Sequence, residues 1–192
     1  MENRIINIGR QFGSGGKLVA QELGSRLGIK VYDNELILQA ASESGFSQEL
    51  FRRSDEKKIF FGLDNLGSVI SDEQLFRIQS QVIRDIAGRG DAIFVGRASD
   101  YVLRDMTCTN VFVCAPKKDR IVRVCNRMNI TPDQAAKLIA KKDRGRENFY
   151  NYVTFGHWGV ASNYDLCLDS SVLGVEGTAE FIIDFARRAG RL

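Results

Sequence analysis

The sequence predicts an α/β fold in which a parallel sheet is covered on both faces by helices. Short β-branched runs alternate with amphipathic helical segments along the chain, the order that winds strands into one parallel sheet. A glycine-rich turn at residues 9–17 joins the first strand to the first helix, a form well suited to holding anions. With 192 residues, 44% hydrophobic and 27% charged, the chain can bury one sizeable core and reads as a single domain over 1–192.

The elements follow in order. Ile5 to Ile8 is the first strand, and a helical pattern runs from about Lys17 to Leu27. Ile29-Lys30-Val31-Tyr32 is a brief second strand ending at Asp33, and Asn34 caps a helix through about Ser44. Residues 46–70 are less regular, with Phe46, Phe51, Phe60 and Phe61 scattered among charges. Ser71-Asp72-Glu73-Gln74 has capping-box spacing and opens a helix to about Ala87. Asp91 to Gly96 and Asn110 to Cys114 are short runs of the buried parallel-strand type. Asp119 to Met128 reads as a helix. Thr131-Pro132-Asp133-Gln134 is a second capping box, whose helix reaches at least Ala140. Tyr164 to Leu168 is the last strand, and Val175 to Arg188 the closing helix. Ligands of such sheets lie at the carboxyl ends of the strands, so Gly9, Asp33, Gly96-Arg97 and Asp169 are expected to converge on one crevice.

The turn Gly9-Arg10-Gln11-Phe12-Gly13-Ser14-Gly15-Gly16-Lys17 approximates the phosphate-binding pattern G-x-x-x-x-G-K-[ST]. Reading Gly16-Lys17 as its G-K puts Gln11 at the first glycine and Leu18 at the Mg²⁺-holding hydroxyl. A shift by one aligns Gly13-Ser14-Gly15 with a tighter G-x-G and moves the lysine position to Gly16. Neither register restores the Ser/Thr. In both, the backbone N–H groups of Gly13, Ser14, Gly15, Gly16 and Lys17 would hold phosphate oxygens, with Arg10 or Lys17 adding side-chain charge.

Other classes fit less well. A net charge of +3 suits anionic small molecules and falls short of a dedicated nucleic-acid binder. Cys108, Cys114, Cys125 and Cys167 form no C-x-x-C and read as reduced core residues, and the single histidine, His157, leaves zinc-ligand spacing absent. His157-Trp158 suits packing or lid structure better than a catalytic base. No apolar run approaches membrane-spanning length and no leader pattern is visible, so a cytoplasmic location without membrane partners is expected.

Chemistry-bearing residues gather at two further places. Arg97 follows a strand and an adjacent glycine, where a guanidinium can grip a phosphate bidentately or pair with Asp100 or Asp105. Asp33 can hold Mg²⁺ through water, accept from a substrate hydroxyl, or cap the following helix. Lys137, Lys141, Lys142, Arg144 and Arg146 are opposed only by Asp143 and run into an aromatic stretch at 149–158. Such density repels itself unless an anion joins it, which suits a lid closing over a polyphosphate. Arg144 and Arg146 reach a common phosphate if the helix ends near Gly145.

The order of these residues resembles nucleoside monophosphate kinases, most closely the cytidylate kinase-like family. The resemblance rests on Arg10 to Gly16, Tyr32-Asp33, Val95-Gly96-Arg97, Arg120 and Arg123, Lys142 to Arg146, and Asn163 to Ser171. It implies a P-loop kinase three-layer fold with a parallel five-stranded sheet, a monophosphate-binding subdomain at about 32–87 and an arginine-rich lid at about 141–160. It further implies γ-phosphoryl transfer from ATP, with Mg²⁺, to CMP or dCMP. Arg97 would hold the acceptor phosphate, Asp33 would line the acceptor side, and Arg144 and Arg146 would be the lid cations. Two other readings share the core: a P-loop kinase for a different small acceptor, and a nucleotide-binding regulatory module with little catalysis.

Overall fold

The computed structural model describes residues 3–43 and 72–192. Five strands form one wholly parallel sheet: β1 (Ile5–Arg10), β2 (Val31–Tyr32), β3 (Ala92–Val95), β4 (Thr109–Cys114) and β5 (Leu166–Asp169). Their spatial order is β2-β3-β1-β4-β5. The first strand is therefore central, paired through Ile5↔Ala92 to Ile8↔Val95 on one side and Ile6↔Thr109 to Arg10↔Val113 on the other. Its apolar residues serve both faces because successive side chains point opposite ways. Ile6 and Ile8 pack with Val19, Leu23, Val111 and Ile182, under α1 (Gly16–Leu27) and α7 (Ser170–Arg188). Ile5 packs with Ile37, Ile83, Phe94 and Leu103, under α2 (Asn34–Glu43), α3 (Asp72–Arg89) and α4 (Ser99–Val102). A smaller cluster around Val124, Ala135 and Ile139 joins α5 (Lys117–Met128) to α6 (Pro132–Thr154) and takes in Phe12.

Several boundaries differ from the expectation. Asp33, rather than Asn34, caps α2: its Oδ1 accepts from the Glu35 and Leu36 amides at 3.1 and 3.2 Å. The last strand starts two residues later than expected, and α7 starts at Ser170, where Asp169 accepts from the Ser171 amide at 2.8 Å. A left-handed Gly174 (φ 68°) kinks that helix, which separates the expected start at Val175 from the true one. The capping box at Thr131–Gln134 forms as expected, with both reciprocal bonds. Ser71 and the irregular stretch 46–70 lie outside the described residues.

The largest departure is α6. It does not end near Gly145 but continues to Thr154. A mid-helix glycine costs only about 1 kcal/mol relative to alanine, and tertiary anchors on either side exceed that. Asp143 accepts the Phe12 amide at 2.7 Å with one oxygen and pairs with Arg120 of α5 at 2.5 Å with the other. Arg120 is nearly buried and also donates to the Phe12 carbonyl at 3.3 Å. This clamp ties the glycine-rich loop, α5 and α6 together. Breaking a buried pair leaves the other charge uncompensated, so Asp143→Ala should destabilise the protein by about 3 kcal/mol in urea unfolding. The Arg120→Ala/Asp143→Ala double variant should lose less than the sum of the two single losses.

Candidate active site

The loop between β1 and α1 is a tight turn whose Ser14 and Gly16 are buried. Gly13 and Gly15 are left-handed (φ 81° and 82°), and Gly15 is the N-cap of α1. That conformation is one which side chains disfavour. The Ser14 amide donates to the Gln11 carbonyl at 3.3 Å. Among the described residues, no protein group accepts from the amides of Gly13, Gly15, Gly16 or Lys17. The Ser14 hydroxyl faces inward and donates to the Gln11 carbonyl at 2.9 Å, so this residue offers no hydroxyl to the open side. Its carbonyl receives Arg123 at 3.2 Å and the Ser170 hydroxyl, which stitches the loop to α5 and α7.

Beside the loop lies a cleft of about 470 Å³, bounded by the ends of β1 and β3 and by the middle of α6. Arg10, Arg97 and Arg146 project into it, with Lys141 and Lys142 at its edge and Phe149, Tyr150, Trp158 and Tyr164 as its aromatic wall. The backbone brings the first two together: the Gly96 amide donates to the Ile8 carbonyl at 3.0 Å, which sets the Arg97 turn against the end of β1. Gly96, Arg97 and Ala98 are three consecutive left-handed residues (φ 76°, 61° and 51°). Non-glycine residues in that region cost roughly 1–3 kcal/mol each, and such strain concentrates at functional sites. Gly96 is required as well by close approach, because a Cβ there would collide with Arg10 Nη1.

The electrostatics are those of crowded cations. Burial, then Arg146 and Arg97, push the Arg10 guanidinium down to about 9, against a partial compensation from Asp33. Burial lowers Arg146 too, although Asp143 opposes it. Arg146 donates to the Arg10 carbonyl at 3.0 Å and sits 5.5 Å from the Phe12 ring centre. Arg97 lies 5.1 Å from the Phe149 ring centre, so α6 grips that side chain by its aromatic face. One residue on, Tyr150 donates to the half-buried Asp100 carboxylate at 2.8 Å. Burial raises Asp100 above the usual carboxylate range, with the Tyr150 hydrogen bond working against it. Burial also raises the Tyr150 and Tyr164 phenols, and Asp100 adds to both.

Other expected site residues go elsewhere. Lys17 leaves the cleft and pairs with Asp33 at 2.7 Å, its side chain 58% exposed. Burial opposes ionisation of Asp33, yet the Lys17 hydrogen bond and the Leu36 amide hold its carboxyl below the ordinary value. Asp169 is occupied in capping α7. Arg144 is exposed on α6 and does not line the cleft, because two residues on a continuous helix point about 200° apart. The expected crevice thus gathers Gly9, Arg10, Gly96, Arg97 and Arg146, without Asp33, Asp169 or Arg144. Asp100, Tyr150 and Tyr164 are members that sequence reasoning passed over as a pairing acid and packing aromatics. Of the four cysteines, Cys167 is exposed rather than part of the core.

Residues 5–172, most of the chain, match the cytidylate kinase-like family. The protein belongs to that family. It is 28% identical over 181 residues to a cytidylate kinase of Methanopyrus kandleri, covering 87% of this chain and 84% of the relative. A cytidylate kinase of Aeropyrum pernix is 27% identical, covering 93% and 96%. A crystal structure of an uncharacterised protein from Eubacterium ventriosum superposes with a TM-score of 0.78 at 27% identity, covering 97% of this chain and 99% of that one. Shikimate kinase from Acinetobacter baumannii shares the fold, with a TM-score of 0.53 at 14% identity and coverage of 98% and 95%. The P-loop kinase architecture and the five-stranded parallel sheet expected from the sequence are therefore present.

Family membership implies nucleotide binding and use of ATP. Mg²⁺ is a separate question. In this cytidylate kinase-like chain Leu18, at the hydroxyl position of one loop register, is 56% exposed and has no oxygen to give. The Ser14 hydroxyl is turned inward and Asp33 is engaged by Lys17. No group of three or more His, Cys, Asp or Glu side chains is placed to hold a metal among the described residues. These donors do not fit a protein-held Mg²⁺. No helix among the described residues is long and apolar enough to cross a membrane.

Asp100 provides a pH test of this cleft. With its folded value above the ordinary 3.8, the native protein holds a proton there over an interval in which the unfolded chain has released it. Stability attributable to this group therefore falls as pH rises through that interval. Asn at this position keeps an acceptor for Tyr150 and removes the charge. Asp100→Asn should raise the melting temperature relative to wild type more at pH 7 than at pH 4.

Proposed function

We propose that this protein transfers the γ-phosphoryl group of ATP to a nucleoside monophosphate, with CMP or dCMP as acceptor. The observation that carries the reading is the convergence of Arg10, Arg97 and Arg146 beside a loop in which the amides of Gly13, Gly15, Gly16 and Lys17 have no protein acceptor among the described residues. Arg10, pushed down by burial and then by Arg146 and Arg97, is stabilised by an anion, and a transferring phosphoryl group spreads negative charge over three oxygens. The cytidylate kinase relatives supply the acceptor class. In this reading the loop amides of Gly13 to Lys17 cradle the donor phosphates. Arg97 fixes the acceptor phosphate in line, and Arg146 closes over the transferring group from the lid at about 141–160. Lys17 acts indirectly, holding Asp33 at the acceptor side. Of the expected catalytic residues Lys17, Arg144 and Arg146, this reading keeps Arg146, the one that lines the cleft.

The loop itself favours a second reading. The loop lysine, Lys17, turns to Asp33 and the loop hydroxyl of Ser14 faces inward, which suits a nucleotide-binding module with little turnover. A kinase for another small acceptor would share everything described except residues within 33–87, most of which lie outside the described segments.

Coupled detection of ADP across a panel of nucleoside monophosphates separates these readings. The kinase reading expects acceptor-dependent ADP formation, fastest with CMP or dCMP. Arg97→Ala should lower kcat/KM for the acceptor by roughly 10²-fold with ATP binding little changed, and Arg97→Lys should recover only part, because a point charge lacks the bidentate fork. Arg146→Ala should lower kcat by about 10²- to 10³-fold, in the lower range of an arginine finger. Arg144→Ala should leave it within a few-fold of wild type. ATP binding without turnover on any acceptor would hand the assignment to the binding module.

A further inference from the structure

The phosphate-binding pattern G-x-x-x-x-G-K-[ST] places its first glycine five residues before the second and its lysine directly after it. Gly15 is the left-handed N-cap of α1, the place of the second glycine where strand gives way to helix. Counting from it, the first-glycine position is residue 10 and the lysine position is residue 16. In this chain residue 10 is arginine and residue 16 is glycine. The two residue types stand exchanged.

Their contact explains why they must exchange together. A Cβ built on Gly16 would lie 2.6 Å from the Arg10 Cβ and 3.1 Å from its Cγ. The space beside the loop admits one long side chain, from the strand or from the helix. A lysine at 16 needs a glycine at 10, and an arginine at 10 needs a glycine at 16. The Arg10 side chain passes over Gly16 to reach the turn at Gly96, where any Cβ would strike its guanidinium. Two glycines from different elements thus make room for this one side chain. Lys17, one position further round α1, is carried away to Asp33.

We infer that Arg10 supplies, from the end of β1, the phosphate-binding cation that loops of this pattern carry on the first turn of the helix. The inference rests on the nucleotide-binding part of the proposed function and names the group that does the work. A guanidinium stays charged and presents a planar fork, so it can engage two phosphate oxygens at once where an ammonium offers a point charge. Arg146, which donates to the Arg10 carbonyl at 3.0 Å, holds the strand end in place.

The test is a swap, read by ATP titration calorimetry and by thermal unfolding of the full chain. Arg10→Ala should weaken ATP binding by roughly 10- to 10²-fold, the range of a charge-assisted contact. Gly16→Lys, made with Arg10 in place, should melt below wild type because the two stems collide. The Arg10→Gly/Gly16→Lys double variant should melt above Gly16→Lys and bind ATP within about tenfold of wild type, since the Cβ collision is removed and the charge is restored from the other side. Arg10→Gly/Gly16→Ala, which restores a side chain at 16 without charge, should bind no better than Arg10→Ala. ATP affinity unchanged in Arg10→Ala, or a folded swap variant binding no better than Arg10→Ala, overturns the inference. Wild type that binds ATP through Arg10 but turns over no acceptor leaves the inference standing and removes the kinase. Turnover with CMP that is indifferent to Arg10 does the reverse.

Discussion

Holding three guanidinium groups at one point is the constraint around which this end of the molecule is organised. Arg10, Arg97 and Arg146 come from the central strand, from the turn after its neighbour and from the long helix that crosses above them. Their repulsion and burial act against folding, with Asp33 compensating Arg10 and Asp143 compensating Arg146 in part. The surrounding structure offsets this locally. Phe149 and Phe12 present aromatic faces to Arg97 and Arg146, and the Arg10 carbonyl accepts from Arg146. The Gly96–Arg97–Ala98 turn stays left-handed throughout. A site strained in this way before it meets an anion is relieved by binding one, which is how stability given up in the free protein returns as affinity and catalysis.

The rest of the fold provides the stiffness such a site needs. A central strand buried on both faces cannot shift without disturbing both apolar cores, so the positions of Gly9 and Arg10 are set by the sheet. The Arg120–Asp143 pair does the same for the helix above. Asp143 bonds to the loop at Phe12 and to α5 through Arg120, and thereby fixes which face of α6 turns toward the cleft. Arg146 and Phe149 follow from that rotation, and so does the outward aim of Arg144.

Much of this was legible in the chain. Period-two apolar runs and capping signals placed most of the elements, because strand alternation, caps and glycine turns are local effects written in neighbouring residues. Gly9, Arg10, Gly96 and Arg97 were found because strand ends in a parallel sheet share one edge. The failures were of another kind. Gly145 read as a helix end because its intrinsic preference is unfavourable, whereas anchors distant in sequence carry the helix through it. Asp169 read as a crevice carboxylate, and at strand ends a carboxylate serves equally well as a helix cap, the alternative that Asp33 already carried. Asp100 and Tyr150 gave no signal, since nothing near either residue announces a partner fifty positions away.

What the sequence determined by itself was the order of elements, the parallel sheet, the loop and the family to which the order belongs. The tertiary structure decided which cations face the same space. It turned Lys17 out to Asp33, sent Arg144 to solvent, and set Arg10 across Gly16 toward Gly96. The physical reason is that backbone pattern depends on nearest neighbours, while the aim of a long side chain depends on the phase of its helix and on which neighbouring stem already fills the space.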